Sequence, residues 1–305
     1  MSQVNVFFLG TGSAPPQLER SQSAIVIKYN GHHILVDAGE GTQRQMIRYK
    51  VGLRKKLLVL LTHLHADHTL GLIGLLSTRC FYGLENPVTI VGPPGTSNFV
   101  YLNLLAYGLF PDYDIKVIEV TNDIIVNNKD FYIEAFRTLH CANSVGYKFV
   151  IHPPLGKFNV EKIKTLGIPP GETWKNLKEG IPIKIGDRVV YPSEILEKST
   201  RKPLKIVITG DTRLYQNVIN HAAYADLLIH DATYPPLEGE RAVKYYHSTC
   251  SQAALAARAA KVKKLVMTHI SNLHTDLEYS LREARKIFPE AIFAYDGMKL
   301  TIRPE

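Results

Sequence analysis

The sequence predicts an α/β protein in which helices cover buried sheets, on three observations. Short, continuous apolar runs recur along all 305 residues, and each ends in a polar side chain. The stretches between them have helical composition and periodicity. Apolar residues make up 45% and charged residues 21%, a globular balance that excludes a disordered or fibrous chain. Apolar runs of this length suit strands buried on both faces, and alternation with helices suits a layered architecture. In order, Ile34-Leu35-Val36 ends in Asp37, and Leu57 to Leu61 runs into Thr62-His63. Ile206-Val207-Ile208 leads through Thr209-Gly210 to Asp211, and Leu227-Leu228-Ile229 leads to His230-Asp231. Ser251 to Lys263, rich in alanine, reads as a helix. Leu265-Val266-Met267 then leads to Thr268-His269, and Leu277 to Phe288 reads as a second helix.

Ligands in such sheets gather beyond strand ends. Apolar packing requires neither His nor Asp there, so their recurrence marks a site. The theme appears in both halves of the chain, which predicts two similar halves facing each other.

Charge and cysteine usage narrow the partners and the compartment. Lys and Arg number 36 against 28 Asp and Glu, a net +8 that favours anionic partners, nucleic acid first. No apolar run approaches the ~18 residues of a membrane helix, so no membrane association is expected. The N-terminus lacks a basic leader, and a signal peptide is not expected. Cys80, Cys141 and Cys250 are odd in number and without paired spacing, which fits a reducing cytoplasm rather than a disulfide framework or a CxxC metal site.

One segment departs from the strand–helix rhythm. Ile151 to Lys205 holds seven of the 17 prolines and eleven cations against six acids, a net of +5 within the total of +8. It interrupts two strand-like runs. A solvated connector and a basic projecting arm over residues 151–195 are both open readings at this point, within a chain otherwise expected to form a single domain over 1–305. Trp174 and Phe158 lie in the segment and are expected to pack a small core of its own rather than to stack on bases. Gly92-Pro93-Pro94-Gly95 is expected to be a plain turn.

The sharpest motif is His63-Leu64-His65-Ala66-Asp67-His68. Three imidazoles and a carboxylate within six residues, directly after a buried strand, match the N/O donors that zinc prefers, with manganese and iron possible. In a tight turn, His63 and His65 can point one way and Asp67 and His68 another, which suits two adjacent metals. Further ligands must come from other strand ends, where His140, Asp211 and His269 are the candidates.

This HxHxDH string, followed by a distant His, Asp and His, resembles the metallo-β-lactamase superfamily. The resemblance implies a four-layer αββα sandwich with a dinuclear site between the sheets. It implies that His63, His65 and His140 bind one metal, that Asp67, His68 and His269 bind the second, and that Asp211 bridges them, giving two zinc ions per chain. Flanking strings choose among the hydrolases of the superfamily. Phe8-Leu9-Gly10-Thr11-Gly12-Ser13-Ala14, the run Asp37 to Gln45 (DAGEGTQRQ), Gly71 to Arg79 (GLIGLLSTR), His230-Asp231-Ala232-Thr233 and His247-Ser248-Thr249 together resemble the ribonuclease Z family in its short form. That resemblance implies an endonuclease that trims the 3′ end of precursor tRNA, a homodimer, and a flexible exosite arm where the basic Pro-rich segment lies. Two departures are visible: Asp231 stands where the family usually has Glu, and Ile270 to His274 replaces an expected Arg-Tyr pair.

The chemistry accounts for these residue types. A phosphodiester repels an anionic nucleophile, and two metals neutralise it while acidifying the attacking water. Asp67 is placed to orient that water. His247 is the candidate donor to the departing 3′-oxygen, with Asp231 holding its tautomer and charge and His230 in the same relay region. Asp37 is expected to fix a ligand histidine rather than to bind metal. Ser248 or Thr249 would in any case cap the alanine-rich helix. A small-molecule phosphodiesterase or arylsulfatase-like hydrolase on the same site is the competing reading.

Overall fold

A computed structural model describes residues 3–53, 56–153, 156–197 and 201–303. The first half builds β1 (Val4–Gly10), β2 (Ala24–Tyr29), β3 (His32–Val36), α1 (Thr42–Arg48), β4 (Leu57–Leu60), α2 (Ala66–Phe81), β5 (Val88–Gly92), α3 (Thr96–Ala106) and β6 (Ile115–Glu119). A meander follows: β7 (Ile124–Asn127), β8 (Phe131–Arg137) and β9 (Val145–Ile151). The Pro-rich segment supplies α4 (Val160–Thr165), α5 (Glu172–Lys178), β10 (Ile183–Ile185), β11 (Arg188–Val190) and α6 (Pro192–Ile195). The second half adds β12 (Leu204–Ile208), α7 (Gln216–Ala222), β13 (Leu227–Asp231), α8 (Gly239–Lys244), α9 (Cys250–Ala259), β14 (Leu265–Thr268), α10 (Leu277–Ile287), β15 (Ala291–Phe293) and β16 (Lys299–Ile302).

Two seven-stranded sheets result, ordered β16-β1-β2-β3-β4-β5-β6 and β15-β14-β13-β12-β9-β8-β7. Strand periodicity divides their side chains between layers. On β1, Val4, Val6 and Phe8 enter the core between the sheets, where they meet Ile133, Tyr147, Ile206 and Ile229 of the second sheet. Leu9, Leu35 and Val59 face the other way, onto Leu72, Leu75 and Leu76 of α2 and Val100 of α3. Leu228 and Met267 likewise face the alanine-rich α9 and α10. The layers run helix, sheet, sheet, helix, the αββα sandwich that was expected. Among the described residues no helix is long and apolar enough to cross a membrane.

Each predicted strand forms, and the parallel pairs β3–β4, β12–β13 and β13–β14 bring the C-terminal ends of the runs to one rim. The predicted helices also form, one as Cys250–Ala259 and the other as Leu277–Ile287. Thr249, not Ser248, caps the first, accepting from Gln252 N–H in a capping box. Gly92–Gly95 is a plain turn into α3, closed by Thr96 N–H donating to the Pro93 carbonyl.

The Pro-rich segment leaves β9 after Ile151 and rejoins the sheet at Leu204, which pairs with Ile151. It has its own apolar cluster of Ile163, Ile168, Leu177, Ile183, Val190 and Ile195, against which Phe158 and Trp174 pack, their rings 5.3 Å apart. Pro154 and Lys198 of this segment lie outside the described residues.

Several motif residues turn out to hold the scaffold. Arg79 is fully buried, and its guanidinium donates to the carbonyls of Leu53 and Asn86. Gly71 lies against Gly39, leaving no room for a Cβ on α2. Between the sheets, the buried Tyr147 hydroxyl donates to the Leu61 carbonyl at 2.6 Å, beside the start of HxHxDH. Tyr147→Phe strands that carbonyl, and chemical denaturation should show a loss of about 1–3 kcal/mol with the fold retained.

Candidate metal centre and catalytic cleft

The rim residues converge. The chain turns sharply after β4 so that His63 precedes, and His65 caps, the N-terminus of α2, which carries Asp67 and His68 in its first turn. His140 follows β8, Asp211 follows β12, and His269 follows β14. Among the described residues five sets of donor atoms lie within 4.8 Å of one another: His63, His65 and His140; His63, His68 and Asp211; Asp67, His68 and His269; and two that include His247, with His140 and Asp211 or with Asp231 and His269. Asp211 Oδ2 sits in the middle, 3.3 Å from His68 Nε2, 3.4 Å from His269 Nε2, 3.7 Å from His63 Nε2 and 3.8 Å from His140 Nε2.

Backbone geometry permits this crowding. Gly210 has φ +60°, and a Cβ there would strike the Thr62 side chain, so only glycine brings Asp211 in at this angle. Asp37 and His269 are themselves left-handed, with φ 59° and 60°, an unfavourable conformation that concentrates at functional sites.

The outward nitrogens of the imidazoles are tied down. His68 Nδ1 lies 2.7 Å from Asp37 Oδ2, the supporting contact expected of Asp37. The Asp37 carboxylate also accepts from Thr62 N–H and Oγ1. His63 Nδ1 contacts Thr62 Oγ1 at 3.0 Å, His140 Nδ1 donates to the Tyr246 carbonyl at 3.0 Å, and His269 Nδ1 contacts Thr233 Oγ1 at 2.8 Å. With Nδ1 so occupied, the Nε2 atoms of His63, His68, His140 and His269 face the centre, the usual arrangement around a bound metal.

Unmatched donors remain at the centre. His63 Nε2 and Asp211 Oδ1 are buried without a hydrogen-bond partner. His140 Nε2 and His65 Nδ1 approach to 3.1 Å, and His68 Nε2 and His269 Nε2 to 3.2 Å. Converging lone pairs around a buried carboxylate are unfavourable alone and favourable around cations. The donor set therefore fits metal ions.

Electrostatics agree. Burial pushes the His63 and His140 imidazoles down, which keeps them neutral and able to ligate. At His68, burial is outweighed by the charges of Asp211 and Asp37, which raise it. Burial would raise Asp67 and Asp211, but the surrounding imidazoles hold both carboxyls below their usual range.

Beside this centre lies a second constellation. His247 Nδ1 is 2.9 Å from Asp231 Oδ2, and the carboxylate also accepts from Thr212 N–H and Thr233 N–H. Burial disfavours the imidazolium, but the Asp231 charge and hydrogen bond prevail, with Asp211 adding, and His247 rises to about 9. The His247 ring stacks 5.3 Å from His269. His230 is not part of this relay. On a strand, neighbours point to opposite faces, so Asp231 faces the site while His230 shares the helix-facing side of Leu228; its Nδ1 contacts only the Asp231 carbonyl, at 2.8 Å.

Thr233 was missed by motif reading as an actor in its own right. Its hydroxyl touches Asp231, His247 and His269, joining relay and metal centre. Its position two residues beyond Asp231 was the available signal. His274, in the stretch that replaces the expected Arg-Tyr pair, instead ties Ser280 Oγ to the Ala232 carbonyl.

A fold of two facing sheets with helices outside, and a His/Asp cluster at one rim, defines the metallo-β-lactamase class of hydrolases. Among solved structures, the metallo-β-lactamase fold protein YhfI of Bacillus subtilis is 18% identical, with a TM-score of 0.69 over 98% of this chain and 99% of that one. Human tRNase Z, short form, is 25% identical, with a TM-score of 0.70 over 98% and 99%. A family model described as "Anti-Pycsar protein Apyc1" matches residues 4–157 and so stops before Asp211, Asp231, His247 and His269. The ribonuclease Z of Methanosarcina acetivorans is 40% identical over 99% of this chain and 100% of its own length. This chain belongs to the ribonuclease Z family.

His65→Ala should lower metal content, read by elemental analysis, and abolish hydrolysis. His32→Ala, on the β2–β3 hairpin with its ring 5.0 Å from Phe131, should leave both unchanged. Metal ions added to the metal-free protein should release protons, and affinity should fall as pH falls, because the raised His68 must surrender its proton to ligate.

Proposed function

We propose that this chain is a zinc-dependent endoribonuclease that removes the 3′ trailer of precursor tRNA. It hydrolyses the bond after the discriminator nucleotide, leaving a 3′-hydroxyl on the tRNA and a 5′-phosphate on the trailer. The observation that carries this reading is the convergence of five imidazoles and two carboxylates at the floor of an open cleft of about 510 Å³, which His65, Asp67, His140, Asp211 and His269 line, in a chain of this family. A small-molecule phosphodiesterase or arylsulfatase-like hydrolase is not favoured, since the relatives at 36–40% sequence identity over the whole chain are ribonucleases Z.

His63, His65 and His140 would hold one metal ion and Asp67, His68 and His269 the other, with Asp211 available to both. Zinc suits these donors, as do manganese and iron. Bound there, the pair supplies neutralisation of the phosphate and an attacking water acidic enough to react near neutral pH. Asp67, its Oδ2 accepting from the Ala14 N–H at 3.2 Å, would accept from the attacking water and orient it. Asp231 keeps His247 protonated and its Nδ1 engaged, which leaves Nε2 to donate to the departing ribose 3′-oxygen. Thr233 fixes the angle between His247 and His269.

The basic segment 151–195 is the exosite that grips the tRNA body, and it acts across a homodimer. The exposed side chains of Leu70, Leu102, Leu105, Tyr107 and Phe110 on and around α2 and α3 support an apolar contact face of the kind a second copy covers. The unpaired cysteines suit a cytoplasmic enzyme.

Cleavage of a 3′-extended tRNA transcript with both new ends mapped tests the reading. A 2′,3′-cyclic phosphate would mean attack by the ribose 2′-hydroxyl and would overturn it. His247→Ala should lower kcat by roughly 100-fold or more with tRNA affinity nearly unchanged, since a proton donor acts in the transition state; affinity falling in step with rate would remove the relay role. A chain lacking residues 153–202 should bind tRNA weakly and with a shallower salt dependence. Mixed with a His65→Ala chain it should regain cleavage, because the intact site of one subunit is then served by the arm of the other.

A further inference from the structure

The cleft has a wall that the chemistry above leaves unused. Tyr234, Arg241 and Tyr245 line it together with Asn272 and Leu273, and the chain carrying Arg241 and Tyr245 runs directly into His247. The Tyr234 ring meets His247 edge-on at 5.9 Å. Tyr245 is about half exposed. Arg241 is also about half exposed, with Glu238 3.5 Å away. Among the described residues lining the cleft, Arg241 is the one Lys or Arg.

The segment bearing Tyr245 is fixed before substrate arrives. Tyr246 takes a left-handed conformation, φ 58°, and its carbonyl accepts from His140. The His247 N–H donates to the Ala242 carbonyl at 2.9 Å, folding the chain back on α8. Tyr245 itself donates its N–H to the Arg241 carbonyl at 3.0 Å and directly precedes these two anchored residues, Tyr246, tied to a candidate metal ligand, and His247, the proposed proton donor.

Position decides which nucleotide meets this wall. His247 serves the leaving 3′-oxygen, and the nucleotide that owns that oxygen lies on the His247 side of the scissile phosphate. An aromatic ring stacks on any base, and a guanidinium forks onto a phosphate. We infer that Tyr245 and Arg241 seat the nucleotide on the 5′ side of the scissile bond, the ring of Tyr245 stacking on its base and Arg241 pairing with the phosphate at its 5′ end. This seat rests on the endoribonuclease reading. It selects for a splayed, single-stranded end, because a stacked and paired base presents no free face to Tyr245.

The test compares precursor tRNAs that carry a base, or an abasic sugar, at the discriminator position. Tyr245→Ala should lower kcat/KM on the base-bearing precursor by about tenfold, within the range expected for loss of one stacked base. The abasic change should cost the wild-type enzyme a similar factor. Together the two changes should cost little more than either alone, the signature of a shared contact. Tyr245→Phe, which keeps the ring, should behave as wild type. Arg241→Ala should weaken cleavage of both precursors, and Arg241→Lys should restore part of it. Losses that multiply, or a Tyr245→Ala enzyme that cleaves normally, overturn the seat while leaving the function standing. A wild-type enzyme that hydrolyses a small activated diester but leaves precursor tRNA intact overturns the function itself, and the seat with it, before any variant is compared.

Discussion

Everything at the rim of this molecule depends on one electrostatic arrangement: a buried carboxylate, Asp211, ringed by imidazole nitrogens whose lone pairs point inward. Four of them lie within 3.8 Å of its Oδ2. Such a cluster is held together by cations and by a second set of contacts that fixes each ring from behind. Asp37, Thr62, Thr233 and the Tyr246 carbonyl do the fixing here. The left-handed backbone at Asp37 and His269 and the glycine at 210 are local costs offset by the surrounding fold.

The same arrangement explains why glycines and glutamines accompany the ligands in sequence. Gly39 lies so close to the Asp67 carbonyl that a Cβ would meet it at 2.5 Å, which sets α2 directly against the turn that carries Asp37. Gln45 donates to the Leu9 carbonyl and Asp296, locking α1 to the opening strand. The diagnostic strings are therefore mostly scaffold, and they are specific because backbone must approach backbone at several points together.

Much of this was legible in the sequence because strands buried on both faces have a simple signature, and a His or Asp directly after one has no packing purpose. That logic located every strand end at the site and the support role of Asp37. It placed His230 wrongly, because proximity in sequence to Asp231 overrode the alternation of strand faces. It missed Thr233 as a junction and the Tyr245–Arg241 wall, since a hydroxyl or an exposed aromatic carries no pattern until tertiary structure brings it to the cleft. The small core of the basic segment was expected from Phe158 and Trp174, and it forms; that Ile163, Leu177 and Ile195 build its centre was not legible, because they are sparse in sequence and only their convergence brings them together.

We propose that these donors form a site for two metal ions with Asp211 available to both. Elemental analysis of the purified, active protein against its absorbance-determined concentration, repeated on Asp211→Asn, measures this most directly. Two metal equivalents per active chain, reduced in the variant together with activity, is the predicted result; one equivalent in fully active protein, or full occupancy and activity in Asp211→Asn, would contradict it.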